Sequence, residues 1–310
     1  MRTILVTGGA GFIGVPTVRR LLDTDGDVVV FDNFSLGSAE RLAPLRCSRL
    51  KVEKGDLRDP AAVASIMDEV RPFGVVHLAA LHFLPYCADH AAETVAVNVE
   101  GLQHVLDAAA RVRVERLVFT STGDVYVPAD EAHHESDPTG PSSVYGASKL
   151  LGEWLIQLWR RAGSPTVPVI ARLFNVAGPG ETNPHLLPDI CRCLKLGDTL
   201  RLGNRQPRRD YIFVEDVADA LVRLLYSDLA DATMNIGSGR SWSADDLVAR
   251  IASLTRRTLV VETDPLKTRT SDRPDLRADV TMMRELLGVV PTSLDELLGA
   301  LLKSEGLLPA

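Results

Sequence analysis

Short and nearly unbroken apolar runs recur along the chain: Thr3 to Thr7, Val28 to Phe31, Leu50 to Glu53, Val75 to Leu78, Arg116 to Thr120 and Thr166 to Arg172. Runs of this length predict strands covered on both faces, because a half-exposed strand alternates apolar with polar residues. Longer amphipathic stretches separate them, and the one opening at Gly14 carries Val18, Leu21 and Leu22 on one helical face. Strand and helix in alternation predict an α/β fold, a doubly wound parallel sheet with helices on both faces. After Gly178-Pro179-Gly180 the rhythm breaks into loops with short helices. The stretch from Tyr211 to Tyr226 and the run Met234 to Ile236 return to the sheet, and from about Ser243 two more amphipathic helices surround strand-like Thr258 to Glu262. The expected division is a sheet domain over 1–177, completed by about 209–240, and a smaller C-terminal lobe built from 178–208 and 241–310.

Composition narrows the class. The 310 residues carry a net charge of −7 with both signs scattered, which leaves no basic face for nucleic acid. Ile4-Leu5-Val6 is too short for a signal peptide or a membrane span. Cys47, Cys87, Cys191 and Cys193 include one Cys-x-Cys pair without a second cluster to complete a metal site. They read as thiols of a reducing compartment, and the expected location is cytoplasmic, with no membrane partner. His133-His134-Glu135, set among other acids, reads as solvated surface, so no metal is assigned.

The first strand runs into Gly8-Gly9-Ala10-Gly11-Phe12-Ile13-Gly14. Glycines permit a tight turn and a close backbone approach, so that amides and a helix N-terminus bind a pyrophosphate. Gly8, Gly11, Phe12 and Ile13 are the expected contacts. Asp32, with Asn33 beside it, ends the second strand, where a carboxylate accepts hydrogen bonds from ribose hydroxyls and repels a 2′-phosphate. The expected cofactor is therefore NAD rather than NADP, on a Rossmann sheet. Asp56 and Leu57 after the third strand are placed to meet the adenine, and Leu78, Ala79 and Ala80 after the fourth to let backbone approach the cofactor. Either stretch reads equally as a plain strand end.

Tyr145 and Lys149 lie four residues apart, on one face of a helix. A lysine ammonium there is expected to lower the phenol's pKa from its usual value near 10, making Tyr145 a general base for a hydroxyl.

Eight strings occur in a fixed order: Gly8-Gly-Ala-Gly-Phe-Ile-Gly14, His77-Leu-Ala-Ala80, Thr120-Ser-Thr-Gly-Asp-Val-Tyr126, Tyr145-Gly-Ala-Ser-Lys149, Arg172-Leu-Phe-Asn175, Gly178-Pro-Gly180, Arg209-Asp-Tyr-Ile-Phe-Val-Glu-Asp216 and Asn235-Ile-Gly237. Together they resemble the extended short-chain dehydrogenase/reductase family, in particular its nucleotide-sugar epimerases, dehydratases and decarboxylases, over nearly the whole chain. The resemblance implies an NAD-dependent enzyme acting on a nucleotide-diphosphate sugar. It implies that Thr122 binds the sugar 4-hydroxyl beside Tyr145, that Lys149 also holds the nicotinamide ribose, and that Asn98 is the family's helix asparagine at the cofactor. It gives Asn175 and the segment with His185 and Leu186 to the sugar and diphosphate, Arg209 and Arg273 to the diphosphate, and Leu202 to the base. The alternative for the two arginines is surface pairing with Asp210 and Asp272. The helices from Glu93 to Ala110 and Tyr145 to Arg161 correspond to the family's dimer bundle, with Trp154, Leu155, Leu158 and Trp159 as apolar bulk for a homodimer.

Within the family, dehydratases and decarboxylases usually carry Thr-x-Glu before Val-Tyr, whereas this chain has Thr122-Gly123-Asp124. The acid is shorter by roughly one C–C bond, about 1.5 Å, and Gly123 supplies no second acid. Asp124 reads first as a turn-capping acid, which favours 4-epimerisation of the UDP-glucose/UDP-galactose type through a transient 4-keto sugar. The alternative keeps Asp124 catalytic, in a 4,6- or 5,6-dehydratase or a UDP-glucuronate decarboxylase. A regulator that binds NAD without turnover would not need the intact Thr122, Tyr145 and Lys149. Two departures from the family pattern stand out: Val127 for the usual glycine, and the bulky loop from Leu81 to Cys87, whose His82 and Tyr86 either shape the sugar pocket or pack against the second lobe.

Overall fold

The computed structural model of the chain describes residues 2–265 and 273–309. Its first part alternates strand and helix: β1 (Thr3–Thr7), α1 (Gly14–Leu22), β2 (Asp27–Asp32), β3 (Leu50–Lys54), α2 (Pro60–Val70), β4 (Gly74–His77), α3 (Leu84–Asp89), α4 (Ala91–Val95), α5 (Gly101–Val112), β5 (Arg116–Thr122), α6 (Val144–Arg161) and β6 (Val167–Leu173). There follow β7 (Asn175–Ala177), α7 (Leu186–Leu196), β8 (Thr199–Leu202), β9 (Arg208–Phe213), α8 (Val214–Tyr226), β10 (Ala232–Ile236), β11 (Ser241–Trp242), α9 (Ala244–Thr255), β12 (Val260–Thr263), β13 (Asp275–Leu276), α10 (Thr281–Leu287) and α11 (Leu294–Ser304).

Seven strands form one parallel sheet in the order β10-β6-β5-β4-β1-β2-β3. Successive side chains point to opposite faces. Ile4, Val6, Val28, Val30, Val76 and Val118 pack in one core with residues of α1 and α8, while Leu5, Val29, Val75 and Leu117 pack in another with residues of α2 and α5. Both faces are buried, which is why these strands read as continuous apolar runs. The chain reverses direction across the sheet between β1 and β4, and in such sheets the crevice at the carboxyl ends of the strands at that point takes the ligand.

The returning segment departs from the sequence reading. Only β10 joins the main sheet, on the edge beside β6. Tyr211 lies in β9, which pairs with β7, β11 and β13 in a separate small sheet, so the stretch from Tyr211 reaches the main sheet's core through Ile212 and α8 and not as one of its strands. The expected strand over Thr258 to Glu262 is displaced to Val260–Thr263 and pairs with β8 in parallel. A third apolar core, including Leu187, Ile190, Leu200, Leu247, Leu297 and Leu301, unites α7, α9 and α11 beside these strands.

Candidate active site

The loop after β1 is fixed by contacts that only glycine allows. Gly8 has a φ of +71°, and a Cβ on it would meet the Ala79 nitrogen at 2.6 Å, so the loops after β1 and β4 are in backbone contact. A Cβ on Gly14 would meet the Gly8 carbonyl oxygen at 2.4 Å, which lets α1 start directly against the turn. No side chain caps that helix start at Ile13 and no acid stands in its first turn, so α1 brings no negative charge of its own to its N-terminus. Asp32 is buried at the end of β2, and its two oxygens accept from the Ala10 amide at 3.0 Å and the Phe34 amide at 2.8 Å. Each oxygen keeps a second lone pair for a ribose hydroxyl. These residues fit NAD.

The outer cofactor candidates are held differently. Asn33 donates to Asp56 at 3.0 Å, and Arg58 beside Asp56 holds its carboxyl well below the usual range. The Leu57 side chain is buried against Gly101, facing the core. Asn98 lies on the π-helical turn Ala96–Glu100 between α4 and α5, where its amide accepts from Leu81 N at 2.8 Å and donates to Leu81 O and Ser148 Oγ, each at 2.9 Å. It ties the loop after Ala80 to α6. Leu78 packs against the sheet core, and Ala80 adjoins Leu81.

Helix α6 starts at the Ser143 cap, whose hydroxyl accepts from Gly146 N at 2.9 Å, and presents Tyr145 and Lys149 toward the end of β5. Lys149 is buried. Its Nζ donates to the Thr120 carbonyl at 2.8 Å and lies 4.9 Å from the Phe119 ring centre, and burial pulls its pKa down to about 7. Tyr145 is hydrogen-bonded to Thr122, yet burial and the Asp124 charge push its phenol above the ordinary value. The expected lowering by Lys149 is therefore not produced by the protein's own groups. The lysine has itself lost hydration and is directed at a backbone carbonyl.

Thr122, at the end of β5, accepts from Asp124 N at 3.2 Å, so the hydroxyl that caps the turn Gly123–Val125 is that of Thr122. The Asp124 carboxylate acts on Tyr145 and on Arg273, while its backbone carbonyl accepts from Arg273 Nη2 at 2.9 Å. Behind this turn lies a network that sequence reasoning missed: buried Glu153 pairs with Arg172 at 2.7 Å and accepts from Ser121, and Arg172 stacks over Tyr126, whose hydroxyl donates to Asn235 at 2.6 Å. Glu and Arg are surface residues by default, and nothing local marks this pair as interior.

On the substrate side, Arg273 is buried with Nη1 lacking a partner, and Arg209 donates to its backbone carbonyl at 2.8 Å. A buried guanidinium with an unsatisfied N–H beside a second arginine suits a diphosphate. Asp210 does not serve as the ion-pair partner for Arg209, since it is buried and accepts from Ser238, Gly239 and Ala278. Asp272 lies outside the described residues. Asn175 is exposed at the start of β7, and His185 caps the start of α7, followed by part-buried Leu186.

Two candidates are corrected. Tyr86 is 38% exposed, its ring stacks on His90 and its hydroxyl donates to Glu93 at 2.7 Å, so the first turn of α3 turns it outward. Leu202 is buried in the small lobe's core, because on β8 residues 200 and 202 point inward while 199 and 201 point out. His82, in contrast, meets Asn183 at 2.9 Å, and its ring lies 6.2 Å from that of His185, which pairs with buried Glu181.

An uncapped helix start beside a buried acid at the end of β2, with a Thr-Tyr-Lys set at the end of β5, fits the class of NAD-dependent enzymes. The family model for the NAD dependent epimerase/dehydratase family matches residues 4–237, and the chain belongs to that family. It is 33% identical to a UDP-glucose 4-epimerase of Mycolicibacterium smegmatis over 94% of each chain, and 31% identical to a dTDP-glucose 4,6-dehydratase of Neisseria meningitidis over 94% of this chain and 89% of that one. Among solved structures, a Thermus thermophilus UDP-glucose 4-epimerase in complex with NAD superposes with a TM-score of 0.88 at 29% identity, covering 98% of this chain and 99% of that one.

Proposed function

We propose that the protein is a UDP-glucose 4-epimerase that interconverts UDP-glucose and UDP-galactose over a transient 4-keto sugar. Thr122 orients the sugar 4-hydroxyl and Tyr145 takes and returns its proton, with Lys149 holding the nicotinamide ribose. Bound NAD supplies the hydride acceptor for C4. Arg209 and Arg273 grip the diphosphate, Asn175, His185 and Leu186 line the sugar side, and 178–208 with 241–310 form the nucleotide-sugar lobe. The UDP-glucose epimerases among the relatives support the substrate class.

The observation that carries epimerisation over elimination is the packing at Gly123. A Cβ there would meet the ring of buried Phe174 at 3.1 Å, so a second acid next to Asp124 requires that ring to give by a few tenths of an ångström, which works against the two-acid arrangement. A lone, short Asp124 is poorly equipped for C5 chemistry. The test is to supply UDP-galactose and assay UDP-glucose formation without added NAD. Conversion supports the reading, and inertness toward both UDP-hexoses overturns it.

A second reading, dehydration or decarboxylation, draws on the charge of Asp124, which acts on Tyr145. A homodimer is supported by the outer faces of α4 and α6, where Val95, Leu151, Trp154 and Leu158 are exposed, while Leu155 and Trp159 turn into the core. The four unpaired thiols support a cytoplasmic location. Among the described residues no helix is long and apolar enough to cross a membrane.

A further inference from the structure

Two loops of the main sheet reach the same short segment of the smaller lobe. Arg41, in the 3-10 turn Ala39–Leu45 after β2, donates from its guanidinium to the Gly180 carbonyl. His82, after β4, meets the Asn183 amide nitrogen through Nε2 at 2.9 Å. An amide nitrogen only donates, so Nε2 accepts from Asn183 and the ring proton is on Nδ1.

The sheet order β4-β1-β2 sets the glycine-rich loop between these two flanking loops. Both flanks also touch it. A Cβ on Gly37 would meet the Ala10 carbonyl oxygen at 2.5 Å, and one on Gly8 would meet Ala79 at 2.6 Å. A segment tied at one end to the loop after β2 and at the other to the loop after β4 thus bridges the two loops that bracket the glycine-rich turn. We propose that residues 180–183 form a bar across the cofactor's pyrophosphate site, with Arg41 and His82 as positioning residues that keep it closed and NAD retained between turnovers.

The bar's own construction fits this task. Gly180 has a φ of +89°, and a Cβ on it would meet Arg41 Nη2 at 2.7 Å, so the guanidinium sits against bare backbone. His185, just past the bar, pairs with Glu181 within it and donates from its backbone N to Asn183 O at 2.7 Å, which ties the bar to the start of α7. Burial, with the nearby His185 and Lys149, keeps His82 neutral by drawing its pKa down to about 4, so it remains an acceptor throughout the neutral range. An enzyme that must return a hydride to the same sugar benefits from a cofactor that cannot leave, and to that extent the inference rests on the proposed epimerisation.

The test is exchange of bound NAD on the holoenzyme against excess isotope-labelled NAD, followed by mass spectrometry without any sugar. Arg41→Ala and His82→Ala are each expected to exchange roughly tenfold faster, as loss of one such bond implies, and the double variant faster than either. His82→Gln, which keeps an acceptor, should stay closer to the parent. If Arg41→Ala does not fold, as judged by circular dichroism, Asn183→Ala takes its place and breaks the His82 contact from the other side. Exchange indistinguishable from the parent in the folded variants would overturn the bar. A parent protein that neither carries nor binds NAD would overturn both the bar and the cofactor assignment, whereas a sugar other than UDP-glucose would leave this measurement unaffected.

Discussion

At the scale of single residues, Tyr145 and Lys149 are tuned in the direction opposite to the one their spacing predicts. Burial pushes Tyr145 up and pulls Lys149 down to about 7, so in the protein alone the lysine titrates nearer neutrality than the phenol does. Tyr145→Phe removes the group we propose moves the 4-hydroxyl proton, and steady-state assays should find kcat lower by about 10²- to 10⁴-fold, the range of general acid–base catalysis. Lys149 also makes a prediction for stability. Its folded pKa lies below its unfolded value, so between the two the unfolded chain binds the extra proton and stability rises with pH. NAD-free protein should therefore gain stability in urea titrations from about pH 7 toward the unfolded lysine pKa near 10.4. Lys149→Met should lose that slope. The Gly8 turn, the place of Asp32 at the end of β2 and the pairing of Tyr145 with Lys149 on one helix were legible in the sequence because they follow from residue type and local spacing, whereas the upward shift of Tyr145 was not. The outward turn of Tyr86 and the inward turn of Leu202 were not, since the facing of a loop or short strand is decided by partners distant in the chain.

Among the elements, the π-helical turn between α4 and α5 connects packing to the site. It directs Asn98 inward to satisfy both backbone groups of Leu81, just before His82. Asn98→Ala strands those groups in a buried place. Chemical denaturation should register a loss of about 2 kcal/mol or more, the cost of unsatisfied buried polar groups. An unchanged midpoint would mean that the loop has other anchors. Five of the six apolar runs of the first part were legible as strands because both faces of the sheet are covered there, while Leu50 to Glu53, expected to be covered, forms the edge strand β3 with no buried residue. The pairing of β9 with β7 was hidden, because its Arg208-Arg209-Asp210 start carries no apolar period and its partner lies far back in the chain.

For the whole molecule, the proposed site lies at the carboxyl ends of the strands where the strand order reverses between β1 and β4. The exposed face of α4 and α6 is the surface through which we expect two copies to pair. Leu158→Glu, at a side chain 59% exposed in one chain, should leave the fold intact and convert a dimer to monomers in sedimentation experiments. A parent that sediments as a monomer would refute that pairing. The choice between epimerisation and elimination also belongs to this scale, because it depends on how Gly123, Phe174 and Arg273 from separate segments surround Asp124. The most direct measurement is incubation with UDP-glucose in D₂O, with products followed by NMR and mass spectrometry. A C4-inverted sugar of unchanged mass, with no deuterium at C5, is the predicted result. Deuterium at C5 accompanied by loss of water would contradict it and make Asp124 a participant in the reaction.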